Sequence, residues 1–210
     1  DEGGRTSERM EILATVLLAL ATVATAWSGY QASRWNGEQA KAGAQASALR
    51  IESVKADGLA NAQSQVDVAV FTQWVDAYAR GDEQLAEFYL KRFRAEFRPA
   101  VDAWIATRPL QNPDAPLTPF AMPEYRLEAR EKAQQLEAES EVAAASARED
   151  LQRATNYVLA VVFFAAALFF AGMSARLKTA RVRRALVVMS LVVFAGAVAW
   201  IATFPVSVSV

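Results

Sequence analysis

Three uncharged hydrophobic stretches interrupt an otherwise polar chain, at residues 12–29, 157–175 and 185–204. A bilayer core about 30 Å thick needs about 20 apolar residues in a helix, and a helix satisfies its own backbone hydrogen bonds in lipid. We therefore predict transmembrane helices at residues 10–29, 155–175 and 185–204. We interpret the first stretch as an uncleaved anchor, although a small-residue pattern near its end resembles a signal-peptide cleavage site.

The chain between the first two stretches, residues 30–154, follows helical spacing almost throughout. Residues 36–62 and 129–154 are rich in alanine, with small side chains recurring on one face of each segment. Small side chains let two helices approach closely, so we expect these segments to form an antiparallel helical stalk. The alternative is a pair of solvated helical linkers that pack on nothing within the chain.

A helical head is predicted at residues 63–107, where large aromatic side chains recur every three or four positions. Gly81 is expected to end its first helix, and Asp82 to cap the next one. Pro99 should kink or restart the helix in which it lies, because proline lacks the N–H that the helix needs.

A proline-rich loop follows at residues 108–123 and excludes both helix and central strand. Four large apolar side chains favour an ordered loop over a mobile one: Leu110, Leu117, Phe120 and Met122. Pro123 suits the first turn of the last long helix, with Glu124 near its positive end. The predicted fold class is an all-α membrane protein, with a stalk and head between the first and second of three transmembrane helices.

Composition excludes several kinds of chemistry. The chain has no cysteine and no histidine, which removes disulfides, thiol or zinc sites and the usual general base near neutral pH. Its net charge of −1 gives no basic footprint for nucleic acid. Carboxylates on the returning helix alternate with cations, as on a solvated face. We find no metal-ligand or phosphate-loop motif, and we predict no enzyme activity, no cofactor and no nucleic-acid partner.

The orientation in the membrane is predicted from the connection at residues 176–184, which holds five cations and no anion. Short loops rich in Lys and Arg stay in the cytoplasm. This rule places residues 1–9 inside, and residues 30–154 and 205–210 outside. The five cations are Arg176, Lys178, Arg181, Arg183 and Arg184.

Aromatic residues near the predicted outer ends agree with that orientation, because Trp and Tyr prefer the headgroup level. These are Trp27, Tyr30, Tyr157 and Trp200. The polar segment that follows the first span includes Arg34 and Trp35. It lines a vestibule, binds a lipid headgroup with Arg34 as the phosphate partner, or anchors the helix at the interface.

One face of the first span carries Thr15, Thr22 and Gly29 at intervals of seven residues, with Thr25 one turn before Gly29. Two interpretations remain open. The hydroxyls face an aqueous pore, or the small side chains pack against another helix and the hydroxyls bond to nearby carbonyls. No charged side chain lies inside any predicted span, which argues against ion-coupled transport.

Stretches along nearly the whole chain, including residues 25–39, 65–74, 92–99 and 112–116, resemble a family of bacterial membrane proteins described as hypothetical. The resemblance implies a bacterial inner-membrane location and brings no catalytic residue.

The expected function is therefore non-catalytic: a protein that is anchored in membrane lipid and self-associates or scaffolds a membrane complex. One alternative is a homo-oligomeric pore lined by the first span, and another is a sensory or accessory subunit.

Overall fold

The computed structural model describes residues 2–109, 111–177 and 179–207, with side chains from Met10 onward. Within these residues it is all helical, as predicted, and contains no strand. The helices are α1 (Glu2–Ala79), α2 (Glu83–Leu90), α3 (Arg98–Ala106), α4 (Glu128–Arg176) and α5 (Ala180–Ile201), with a 3-10 turn at Pro119–Ala121. Three of them, α1, α4 and α5, contain stretches long and apolar enough to cross a membrane.

The first two predicted spans lie inside longer helices, because α1 and α4 continue through the polar sequence without a break. The third differs from its prediction at both ends, since α5 begins five residues earlier and ends three residues earlier. Only residues 177–179 connect α4 to α5. The predicted basic loop at residues 176–184 is therefore mostly helical, which is the case for all four of its arginines.

The chain divides into two compact units. Unit 1 comprises Asp1–Ala44 and Ala143–Val210, and unit 2 comprises Gln45–Val142. Both divisions fall inside the segments predicted as the stalk.

Alanine and serine side chains pair α1 with α4 inside unit 2. Every seventh residue of α1 is buried at Ala46, Ser53 and Ala60. The Ser53 hydroxyl donates to the Ala133 carbonyl at 2.8 Å, and the Ser140 hydroxyl donates to the Ala46 carbonyl at 3.0 Å. The later residue of α1, Ser53, pairs with the earlier residue of α4, Ala133, and Ala46 pairs with the later Ser140. The two segments therefore pack as an antiparallel pair and not as separate solvated linkers.

The core of unit 2 is an aromatic cluster at the end of α1 and along α2 and α3. Gly81 ends the first of these helices with a positive φ of 74°, and the Asp82 carboxylate accepts the Leu85 amide hydrogen at 3.0 Å, as predicted. Pro99 restarts a helix and does not kink one, because it lies in the first turn of α3. The buried cluster consists of Phe71, Trp74, Ala77, Ala86, Phe93, Phe97, Ala100, Val101 and Trp104.

The proline-rich loop packs against this cluster. The Phe120 ring stacks on Phe97 with 5.0 Å between centroids, and Met122 also contacts the cluster. Leu117 does not contribute, since it is 93% exposed, and Leu110 lies outside the described residues.

The prediction that Pro123 starts the last long helix is wrong, because α4 begins at Glu128. Before that point Tyr125 turns inward against Phe97, and Leu127 is buried. The packing of half-buried Tyr125 and buried Leu127 holds residues 125–127 outside a helix, so α4 starts only after them.

The core of unit 1 brings the three apolar helices together. Ala160, Phe164 and Ala197 are buried, and Ala24 of α1 and Phe194 of α5 pack against them. The Ser190 hydroxyl of α5 donates to the Ala167 carbonyl of α4 at 2.6 Å. Alanines at the contact allow this close approach, as expected of helices that pack in lipid.

Candidate functional site

One face of α1 in its apolar stretch stays open within the chain. Ala14, Leu17 and Ala21 lie on the buried side of the helix. A row of small residues lies on an exposed side, and we call it the small face: Thr15, Ala19, Thr22, Ala26 and Gly29. A Cβ atom added at Gly29 would meet nothing within 4 Å, so no described residue fills the small face at that point.

The threonine hydroxyls of this stretch bond within their own helix. Thr15 donates to the Glu11 carbonyl at 2.9 Å, Thr22 to the Leu18 carbonyl at 2.8 Å, and Thr25 to the Ala21 carbonyl at 2.7 Å. Thr25 is half-buried and lies beside the small face. Because each hydroxyl proton has an acceptor, the small face needs no water to satisfy it.

The residues predicted at the outer membrane interface differ in how exposed their side chains are. Trp27 and Tyr30 are exposed, with 6.0 Å between their ring centroids, as residues at a lipid headgroup would be. Trp35 and Tyr157 are instead buried in unit 1 and contribute to packing. Trp200 and Arg34 are half-buried.

Hydrogen bonds that the sequence did not predict link the residues after α5 to α1 and α4, and we call this group of Gln31, Tyr157, Pro205 and Ser207 the polar clasp. Buried Gln31 accepts the Ser207 amide hydrogen at 3.0 Å and donates to the Ser207 carbonyl at 3.4 Å. The Tyr157 hydroxyl donates to the Pro205 carbonyl at 3.1 Å. One turn before Gln31, the buried Ser28 hydroxyl has no hydrogen-bond partner among the described residues. The available signal was a glutamine directly after a long apolar run, where an amide needs partners.

The four arginines of residues 176–184 are exposed or half-buried. Arg176, Arg181 and Arg184 are exposed and Arg183 is half-buried, whereas Lys178 lies outside the described residues. Arg181, Arg183 and Arg184 occupy the first turns of α5, where the helix dipole is positive. Cations at that end lower helix stability, so their presence is not explained by the helix itself.

A buried carboxylate, also missed in the sequence reading, lies in unit 2. Asp67 is 1% exposed and accepts hydrogen bonds from Arg94 at 2.9 Å and from the Tyr125 hydroxyl at 3.3 Å. Arg94 also pairs with Glu96. Burial raises the pKa of Asp67 even though Arg94 and Tyr125 act in the opposite direction. Burial also raises the pKa of Tyr125, and the neighbouring Asp67 adds to that effect. This network joins α1 to the chain on both sides of α3.

Metal chemistry has no support in the described part of the chain, where no group of three His, Cys, Asp or Glu residues is placed to hold an ion. Comparison with protein-family models, with curated proteins and with solved structures gave no significant match.

Proposed function

We propose that this chain is a non-catalytic, multi-pass anchor of the bacterial inner membrane whose copies associate through the small face of α1. The observation that carries the proposal is the open small face, which is exposed along the first apolar stretch and whose hydroxyls are already bonded. Membrane lipid is the solvent of the three apolar helices in this proposal.

Helices in lipid gain little from burying apolar surface, since lipid tails are as apolar as leucine. They associate where small side chains let the backbones approach and increase their van der Waals contact. The small face meets this requirement, whereas the neighbouring side of the helix carries the exposed and larger Val16, Leu20 and Val23. The larger side suits lipid, and the small face suits a second helix.

The threonine geometry also favours packing over the pore alternative. A hydroxyl that donates to a carbonyl of its own helix can lie against another helix without the penalty of an unsatisfied donor. We therefore place Thr15 and Thr22 at a helix contact, with a second copy of the chain as the first partner to test and another membrane protein as the alternative.

The cations at residues 176–184 support a cytoplasmic location for the end of α4 and the start of α5. Three arginines lie in the first turns of α5, where the helix dipole disfavours cations. A role in keeping this part of the chain on the cytoplasmic side accounts for their position. On this basis we propose that unit 2 is extracytoplasmic.

Neighbouring substitutions in α1 test the association. Thr22→Leu places a large side chain on the small face, and Val23→Leu makes a similar change on the larger side as the matched control. We expect the wild-type chain and Val23→Leu to form oligomers of defined mass in nanodiscs, and Thr22→Leu to shift toward monomer. A wild-type chain that is a uniform monomer would contradict the proposal. Bilayer recordings of the same variants separate the pore alternative, since a lining residue must alter conductance.

A further inference from the structure

A cavity of about 500 Å³ opens on unit 2 between the end of α1 and the end of α3. Trp74, Val75 and Tyr78 line it from α1, and Trp104 and Ile105 line it from α3. Arg108, Pro109 and Gln111 complete the lining just after α3. Small-molecule sites typically have volumes of roughly 300–1,000 Å³, apolar walls and a few polar groups, and this cavity fits that description.

The walls of the cavity are held by the core of unit 2. Trp74 belongs to the aromatic cluster and stacks on Tyr78 with 5.3 Å between ring centroids. Trp104 donates its indole N–H to the Pro116 carbonyl at 2.6 Å, which fixes the ring and the proline-rich loop together. The cavity is therefore preformed, and binding there would not require these rings to become ordered.

Arg108 is the unusual member of the lining. Its φ of 53° lies in the left-handed region, which side chains rarely adopt, so a glycine or asparagine would suit this turn better. Its side chain is exposed, and its guanidinium forms no ion pair with any carboxylate in the described part of the chain. Arg108 lies just after the C-terminus of α3, where the helix dipole favours a cation and helices commonly end in this conformation. Because no carboxylate in the described part of the chain neutralises its guanidinium, this cation in the cavity lining is available to an anionic ligand.

We propose that this cavity binds a small amphipathic carboxylate with an aromatic body. The body packs against Trp74, Tyr78 and Ile105, and the acid group accepts hydrogen bonds from Arg108. The planar guanidinium matches a carboxylate with two parallel hydrogen bonds, and aromatic rings favour edge or stacked contacts with another ring. This inference goes beyond the proposed function, in which association involves unit 1 and requires no ligand.

The test uses the full chain in nanodiscs and the probe 3-(4-bromophenyl)propanoate, whose bromine quenches tryptophan fluorescence on contact. The uncharged analogue 3-(4-bromophenyl)propan-1-ol has the same aromatic body. We expect saturable quenching by the acid, with an affinity about two- to fivefold above that of the alcohol, since an ion pair on an exposed arginine contributes up to about 1 kcal/mol. No saturable quenching, or equal affinities for acid and alcohol, would overturn the proposal.

Substitutions identify the cavity as the site. Arg108→Gly removes the guanidinium and relieves the positive φ, so the fold is kept and the acid should bind about two- to fivefold more weakly, near the level of the alcohol. Ile105→Trp fills the cavity and should abolish saturable binding of both probes. The matched control is Arg126→Ala, which removes an exposed arginine of the same unit that does not line the cavity. An equal loss of acid binding in Arg126→Ala and Arg108→Gly would refute the assignment.

Discussion

Phe97 allows the sharpest test of how unit 2 is held together. Its side chain is fully buried, and its ring lies 5.0 to 6.2 Å from the rings of Phe71, Phe93, Phe120 and Tyr125. Phe97 thus connects α1, α3 and the proline-rich loop. Replacing it with alanine removes contacts with all three at once.

The expected cost of Phe97→Ala follows from that burial. Truncating a buried phenylalanine costs about 3–5 kcal/mol, which includes the cavity left behind. Each favourable ring pair contributes about 0.5–1.5 kcal/mol beyond area, so the value should lie in the upper half of that range. A loss of about 4 kcal/mol corresponds to roughly a thousandfold change in the opening equilibrium.

Hydrogen exchange of the full chain in nanodiscs measures this loss locally. Amides of α3 and of the end of α1 should exchange roughly a thousandfold faster in Phe97→Ala. Leu117→Ala is the control, because Leu117 is 93% exposed and should change exchange by less than about threefold. Protection within tenfold of wild type in Phe97→Ala would refute the assignment of Phe97 as the centre of the core.

Three further substitutions test other parts of the structure. Asp67→Asn tests how the stability of unit 2 depends on pH. Burial raises the pKa of Asp67, so its protonated form stabilises the wild-type fold. That stabilisation is full below the unfolded pKa and is lost as pH rises through the folded pKa. The variant should therefore gain stability relative to wild type as pH rises from about 4 through the folded pKa, and a constant or falling difference in exchange-derived free energy across that window would contradict this. Gln31→Leu removes both bonds to Ser207 and should release that amide to exchange, whereas protection equal to wild type would show that the clasp is unimportant. Ser53→Leu should lose the hydrogen bond to Ala133 and also overpack the pairing of α1 with α4, at a total cost of about 2–4 kcal/mol, against about 1 kcal/mol for Ser53→Ala, and equal costs would argue against close packing there.

Hydrophobic patterning accounts for most of the fold that could be predicted. The three apolar stretches, the helical spacing between them, and the helix boundary at Gly81 and Asp82 are all local signals, and each corresponds to a feature of the structure. Helix boundaries that depend on tertiary contacts were less accessible. α4 begins at Glu128, later than predicted, because Tyr125 packs against Phe97, a residue far away in sequence.

The candidate sites were predicted less completely. The seven-residue spacing located Thr15, Thr22 and Gly29 on one face, yet it could not show that this face is open, since that depends on where α4 and α5 pack. Asp67 lies in a polar sequence with no local sign of burial, whereas the position of Gln31 directly after an apolar run was a signal that did not identify its partners. Those partners are 27 and 176 residues away for Asp67 and Gln31, respectively.

Residue accessibility in intact membranes tests most directly whether the three apolar helices span a membrane, and single cysteines can report it because the chain has no cysteine of its own. Single cysteines are introduced at Val23, Phe169 and Val192, which are exposed positions in the apolar stretches of α1, α4 and α5, and at Gln111 and Thr179 outside them. A membrane-impermeant maleimide should label Gln111 from the outer side and Thr179 only from the cytoplasmic side, and should leave the other three unlabelled from either side. Labelling of Val23, Phe169 and Val192 at the rate of Gln111 would contradict the membrane-spanning assignment.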